Sequence, residues 1–183
     1  MTRPLRRVFT AVGSLAVALW LGGLVALGAL AAPVVFSVVP LPTSADAMTV
    51  VFRRFDLLAM TCAAVALGCE AGAGFARALG QSQAGGSDPA RLVDHARVAA
   101  TALAAAAAAF EGASISPRIA ELHAGGAIRG VADAGRELAR LHDLAESLGK
   151  SEVLLLGAVV VLRAFSGAFS DGGARQAAPR PPG

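Results

Sequence analysis

The stretch Val8–Ala32, VFTAVGSLAVALWLGGLVALGALAA, runs 25 residues without a charge. As an α-helix it would extend about 37 Å, enough to cross a hydrocarbon core of about 30 Å. Arg3, Arg6 and Arg7 stand immediately before it, and Pro33, Pro40 and Pro42 are expected to end it. Ala29-Leu30-Ala31 has the small-x-small form of a signal cleavage site. Signal h-regions, however, run about 7–15 residues, so the segment is expected to persist as a retained helix.

Three more apolar runs follow, giving spans at about 8–32, 55–79, 97–115 and 150–169. Thr43 and Asp46 have capping-box spacing ahead of the second. The residues from Gly80 to Pro89 read as a flexible loop by composition. The third span contains the run Ala104–Ala109, good for helix and for close packing between stronger neighbours. Ser116-Pro117 reads as an N-cap followed by proline at the first helical position, so a new helical direction is expected there.

Between Arg118 and Lys150 the pattern changes. Val131, Leu138, Leu141, Ala145 and Leu148 form an apolar stripe opposed by Asp133, Arg136, Glu137, Arg140, Asp143 and Glu146. Glu137–Arg140 and Glu146–Lys150 have pairing distance along a helix. This predicts an amphipathic helix, lying on a membrane surface or extending the last span outward. The tail, residues 170–183, is Gly-, Ala- and Pro-rich and is expected to be disordered.

The expected fold class is therefore all-α: a polytopic membrane four-helix bundle in residues 1–169, with an extra amphipathic helix before the last span. Composition agrees, with 55% hydrophobic and 16% charged residues and a mean hydropathy of +0.62. A soluble domain carries about a quarter charged residues, and a disordered chain still fewer apolar ones. The net charge of +3 resides almost entirely in arginines scattered between the apolar runs. That pattern marks membrane flanks and excludes a nucleic-acid surface as partner. The RPLRR cluster beside the first helix places both termini on the cytoplasmic side of a bacterial inner membrane. Cys62 and Cys69, seven residues apart on one helix, are too distant for a disulfide and are expected to be small packing residues. Gly68-x-x-x-Gly72 is expected to permit close helix packing.

Ionisable groups inside apolar spans are the best functional clues, because a charge at mid-bilayer costs about 2.5–3.5 kcal/mol on insertion scales. There are three: Glu70, Glu111 and Arg163. Counting residues from the span starts puts Glu70 and Arg163 at depths of about 22 and 16 Å, within reach of long side chains. An ion pair between them would lock two helices; Arg163 snorkelling, or a proton or ion relay, are the alternatives. Glu111, Arg118 and His142 fall on the other side and could cluster at an outer mouth, or Arg118 and His142 could cap helix ends. No H-x-x-x-H or C-x-x-C spacing supports a metal site from Glu111, His123 and His142. His95, His123 and His142 all lie outside the spans, which argues against haem. No nucleophile motif or phosphate loop is present, so no cofactor and no enzymatic activity are expected.

The chain carries Trp20-Leu21-Gly22-Gly23, then Ala32-Pro33-Val34-Val35-Phe36 and Pro40, then Ser116-Pro117-Arg118-Ile119, then Leu141-His142 with Ser147 following. In this order, over about residues 10–168, it resembles a four-helix membrane family of bacterial proteins of unknown function related to eukaryotic transmembrane protein 205. The resemblance implies four helices and no established enzymatic activity. Eukaryotic relatives are associated with cellular resistance to metal-containing drugs, which implies a transport or trafficking theme. Lys150 and Glu152 depart from the pattern where the last span should begin. The leading expectation is a non-enzymatic structural or interaction module in the lipid bilayer, with a membrane-protein partner or a second copy. The alternative is a small transporter or metal-handling protein using its intramembrane Glu and Arg residues.

Overall fold

The computed structural model describes residues 3–80 and 89–176, and side chains within 7–75 and 91–165. All regular structure among the described residues is helical. It forms four rods. The first is α1 (Arg3–Val25) continued through a wide π-helical turn, Ala26–Ala31, into α2 (Ala32–Val38). The second is α3 (Thr43–Gly80). The third is α4 (Pro89–Phe110) continued through a second π turn, Glu111–Ile115, into α5 (Ser116–Ala124). The fourth is α6 (Ala132–Gln176).

Neither Pro33 nor Pro117 ends its helix. A proline inside an α-helix lacks an N–H and its ring strikes the carbonyl four residues back. Here each proline is the second residue after a π turn. Ala32 donates to the Leu27 carbonyl and Ser116 to the Glu111 carbonyl, both five residues back. The widened turn moves the obstructing carbonyls aside, and the chain continues as helix. Ser116, expected as an N-cap, is instead the first residue of α5 and makes no capping bond with its side chain. At the start of α3, main-chain bonds from Ser44 to Pro40 (3.2 Å) and from Asp46 to Pro42 (3.1 Å) close the first turn.

Of the two arrangements expected for the amphipathic segment, the structure shows an extension of the last span and not a separate surface helix. The first half of the 118–150 segment contains the end of α5 and a turn with Gly126 and Gly130 at positive φ. From Ala132 onward it is the leading half of α6, one helix of 45 residues that includes the last apolar run. Lys150 and Glu152 do not interrupt it, because charged side chains leave helical backbone bonding intact. α6 reaches Gln176; the rest of the expected disordered tail, 177–183, lies outside the described residues, as do 81–88 of the expected loop.

Each rod packs beside its neighbours in a closed ring: α1 against α3 and α6, and α4 against α3 and α6. Adjacent rods are antiparallel. Gly23 near the end of α1 lies against Phe55 in the first half of α3, while Gly13, earlier in α1, lies against Cys69 further along α3. A Cβ on Gly13 would stand 3.0 Å from the Cys69 Cβ, so the backbones approach closely there. The expected close approach at Gly68 is absent; a Cβ there meets open space.

The core is made of small residues. Ala59, Cys62, Ala63 and Ala66 of α3 face Ala100, Ala104 and Ala108 of α4, with Val17, Trp20, Leu156 and Val159 filling the remaining space. Both cysteines are free and buried. Two rods, Arg7–Val38 and Arg91–Ala124, are long and apolar enough to cross a membrane.

Candidate functional site

Two polar layers interrupt this apolar core, and each takes at least one side chain from every rod. The helical stripes that build the core explain why. Positions 97, 101, 104, 108, 111 and 115 recur at three or four residues along the third rod, and 152, 156, 159 and 163 do so along α6. The polar members of these stripes face inward with the apolar ones.

In the first layer Glu70 of α3 is held by two arginines. Arg97 donates from Nε to Glu70 Oε1 (3.0 Å) and from Nη2 to Oε2 (2.9 Å). Arg163 donates from Nη2 to Glu70 Oε1 (3.0 Å) and from Nη1 to the Ser14 hydroxyl (3.1 Å). Arg97 also pairs with Asp94 at 2.9 Å. Two guanidiniums and two carboxylates thus balance, and all four rods are tied through ion pairs or hydrogen bonds. Such a fork gives a buried carboxylate enough donors to offset its loss of water. Glu70 and Arg163 meet, as the depth count anticipated. The principal partner is Arg97, at the start of the third span, which the depth count does not point to.

The second layer holds Trp20, Asp56, Glu111 and Glu152. Trp20 donates its indole N–H to Glu152 Oε2 at 3.0 Å. Glu152 is only 1% exposed. Its Oε1 and the Asp56 Oδ2 are buried without hydrogen-bond partners. The charges of Glu152 and Asp56 both act on Glu111, and that of Asp56 acts on Glu152. Gly112 packs directly on Asp56, since a Cβ there would lie 3.3 Å from the Asp56 Cβ. Ser116 and Arg53 are the other polar neighbours of Asp56. A recess of about 110 Å³, lined by Arg53, Asp56, Met60, Gly112 and Ser116 among others, opens beside it. Among the described residues, none of the three carboxylates forms an ion pair.

The expected Glu111–Arg118–His142 cluster does not form. Arg118 instead forks onto Glu137 (2.8 and 3.1 Å) and reaches Glu121 (3.1 Å), which holds the exposed Glu137 carboxyl below its usual range. That bond joins α5 to α6 across the turn and replaces the expected Glu137–Arg140 pair. His142 bonds the Leu138 carbonyl through Nδ1 (2.8 Å) and meets the His123 ring edge-on at 5.8 Å between centroids. Lys150 pairs with Glu146 at 2.6 Å, as its spacing suggested. Among the described residues no three His, Cys, Asp or Glu side chains converge to hold a metal ion.

The chain belongs to the DUF4149 family: the model of this domain of unknown function matches residues 15–127. The match covers the first three rods from Leu15 onward and leaves α6, with Glu152 and Arg163, outside it. It provides no link to eukaryotic transmembrane protein 205. No curated protein and no solved structure matches the chain.

Proposed function

We propose that this DUF4149 chain is a membrane-embedded four-helix bundle acting as a non-enzymatic structural or interaction module. One observation carries the reading: charged side chains are sealed inside the bundle while many large apolar ones face outward. Glu152 is sealed within the bundle while Leu154, two residues on, is 75% exposed. Glu70, Arg97 and Thr101 are buried, whereas Val8, Leu15, Leu19, Leu57, Leu103 and Val161 face outward. A water-soluble bundle places its charges outward, and contiguous exposed apolar faces of this extent need a cover. Lipid chains supply that cover, and closed helices with internally satisfied charges suit it.

In this reading four spans cross a bacterial inner membrane with both termini cytoplasmic, as the basic cluster at Arg3, Arg6 and Arg7 suggests. The balanced Glu70 layer fastens the rods together and leaves the outward faces for lipid, a membrane-protein partner or a second copy. The second layer supports the transporter alternative, because unpaired carboxylates inside a bundle suit an ion path better than a fastening.

Alkaline carbonate extraction of membranes from cells expressing the full chain tests the placement. The protein is expected to stay in the pellet. Release into the supernatant as a folded species would overturn the reading.

A further inference from the structure

We propose that Asp56, Glu111 and Glu152 form a proton-binding group, in which at least one of three carboxyls from three rods holds a proton taken up from water. The inference rests on how the rods pack and not on their placement in a bilayer.

The charged surroundings can be enumerated by element. The first rod contributes Trp20, a neutral donor already engaged with Glu152 Oε2. α3 contributes Asp56 and one cation, Arg53, whose charge acts on Asp56. The third rod contributes Glu111 and, a turn later, the Ser116 hydroxyl beside Asp56. α6 contributes Glu152. Three acids therefore face a single arginine, and carboxylates so grouped in a poorly hydrated interior do not all ionise together.

The unpartnered oxygens indicate where the proton resides. Glu152 Oε1 and Asp56 Oδ2 are buried acceptors with nothing donating to them. A hydrogen on a carboxyl of the group, or one relayed by a water, supplies the missing donor. The recess beside Asp56 is roomy enough for a water molecule at that end of the group. Glu111 sits on a π turn, where helical geometry is locally altered and side chains are re-aimed.

Trp20 is the sole tryptophan and touches the site, so its fluorescence reads it directly. The purified full chain in detergent micelles is titrated while emission and far-ultraviolet circular dichroism are recorded. Trp20 emission is expected to change reversibly with pH at constant helicity. Glu152→Gln, whose amide oxygen still accepts from Trp20, is expected to abolish the change. Glu111→Gln removes a like charge and is expected to move the transition to more acidic pH by about one unit, a tenfold change in proton affinity. An emission independent of pH in the folded protein, or an unaltered transition in Glu152→Gln, overturns the proposal. If Glu152→Gln loses helicity, infrared spectroscopy of the wild type decides instead. A protonated-carboxyl band weakened in Glu111→Gln supports the site, and absence of that band throughout the folded range overturns it.

Discussion

At one level of the bundle Glu70 is gripped by Arg97 and Arg163; at the other, three acids, Asp56, Glu111 and Glu152, are met by the Trp20 indole N–H and the Ser116 hydroxyl. Both layers draw on all four rods, and both sit on the inward stripes of their helices. They differ in charge balance. The Glu70 layer contains as many cations as anions once Asp94 is counted, so its carboxylate is worth more to the fold ionised than neutral. The acidic layer has three carboxylates and one flanking arginine, and two of its oxygens have no donor. Burial alone does not make an ionisable group functional. Compensation decides whether the group fastens the structure or stays responsive to its surroundings.

The largest effect is expected at the balanced layer. Glu70→Ala strands two guanidiniums inside the bundle and is expected to cost about 3–5 kcal/mol of stability, measured by unfolding in mixed micelles. A loss under about 1 kcal/mol, the value of an exposed pair, would break the comparison. Next comes Trp20→Phe, which removes the donor to Glu152 Oε2 and is expected to cost about 1–3 kcal/mol in the same assay. No loss would mean that the second layer does not depend on that bond.

Gly23 lies under the Phe55 ring, and a Cβ there would run into it. Gly23→Ala is expected to cost about 1 kcal/mol, the low end of overpacking, because a ring can turn aside where backbone cannot. An unchanged or higher stability would show that the first two rods have slack at this level. The smallest effect belongs to the exposed Arg118–Glu137 bond. Arg118 lowers the folded-state pKa of Glu137, so its contribution is present above the ordinary carboxyl value of about 4.3 and is lost as pH falls through the lowered one. Glu137→Gln is expected to flatten that acid dependence slightly and to leave neutral stability nearly unchanged. A large neutral-pH loss would contradict it, since exposed pairs contribute little.

The helical class and the Glu70–Arg163 contact were legible in the sequence, because apolar run lengths and residue counts along a helix translate directly into depth. The helix boundaries at Pro33 and Pro117 were not. Nothing in single-residue preferences signals that a π turn will precede a proline and let the helix continue. Arg97 was overlooked because hydropathy puts it at a span entrance, but the hairpin carries its own signal. Residues 70 and 97, like 56 and 112, lie about equally far from the middle of the connection near residue 84, so an antiparallel pair must bring them level. The same arithmetic would have placed Asp56 beside Glu111 and dissolved the expected Glu111–Arg118–His142 cluster. The amphipathic stripe left a separate helix and an extension of the last span both open for a different reason: an outward-facing polar surface describes a helix face and does not mark where the helix stops.

The most direct test sets the two layers against each other with the same chemical change. Glu70→Gln and Glu152→Gln each replace a carboxylate by its neutral isostere, and their unfolding free energies are compared in one detergent at neutral pH. Glu70→Gln is expected to lose at least about 2 kcal/mol, because it leaves one buried and one half-buried arginine facing one carboxylate. Glu152→Gln keeps an acceptor for Trp20 and relieves a crowd of acids, and it is expected to match or exceed the wild type. Equal losses in both variants would contradict the distinction between a fastening layer and a responsive one.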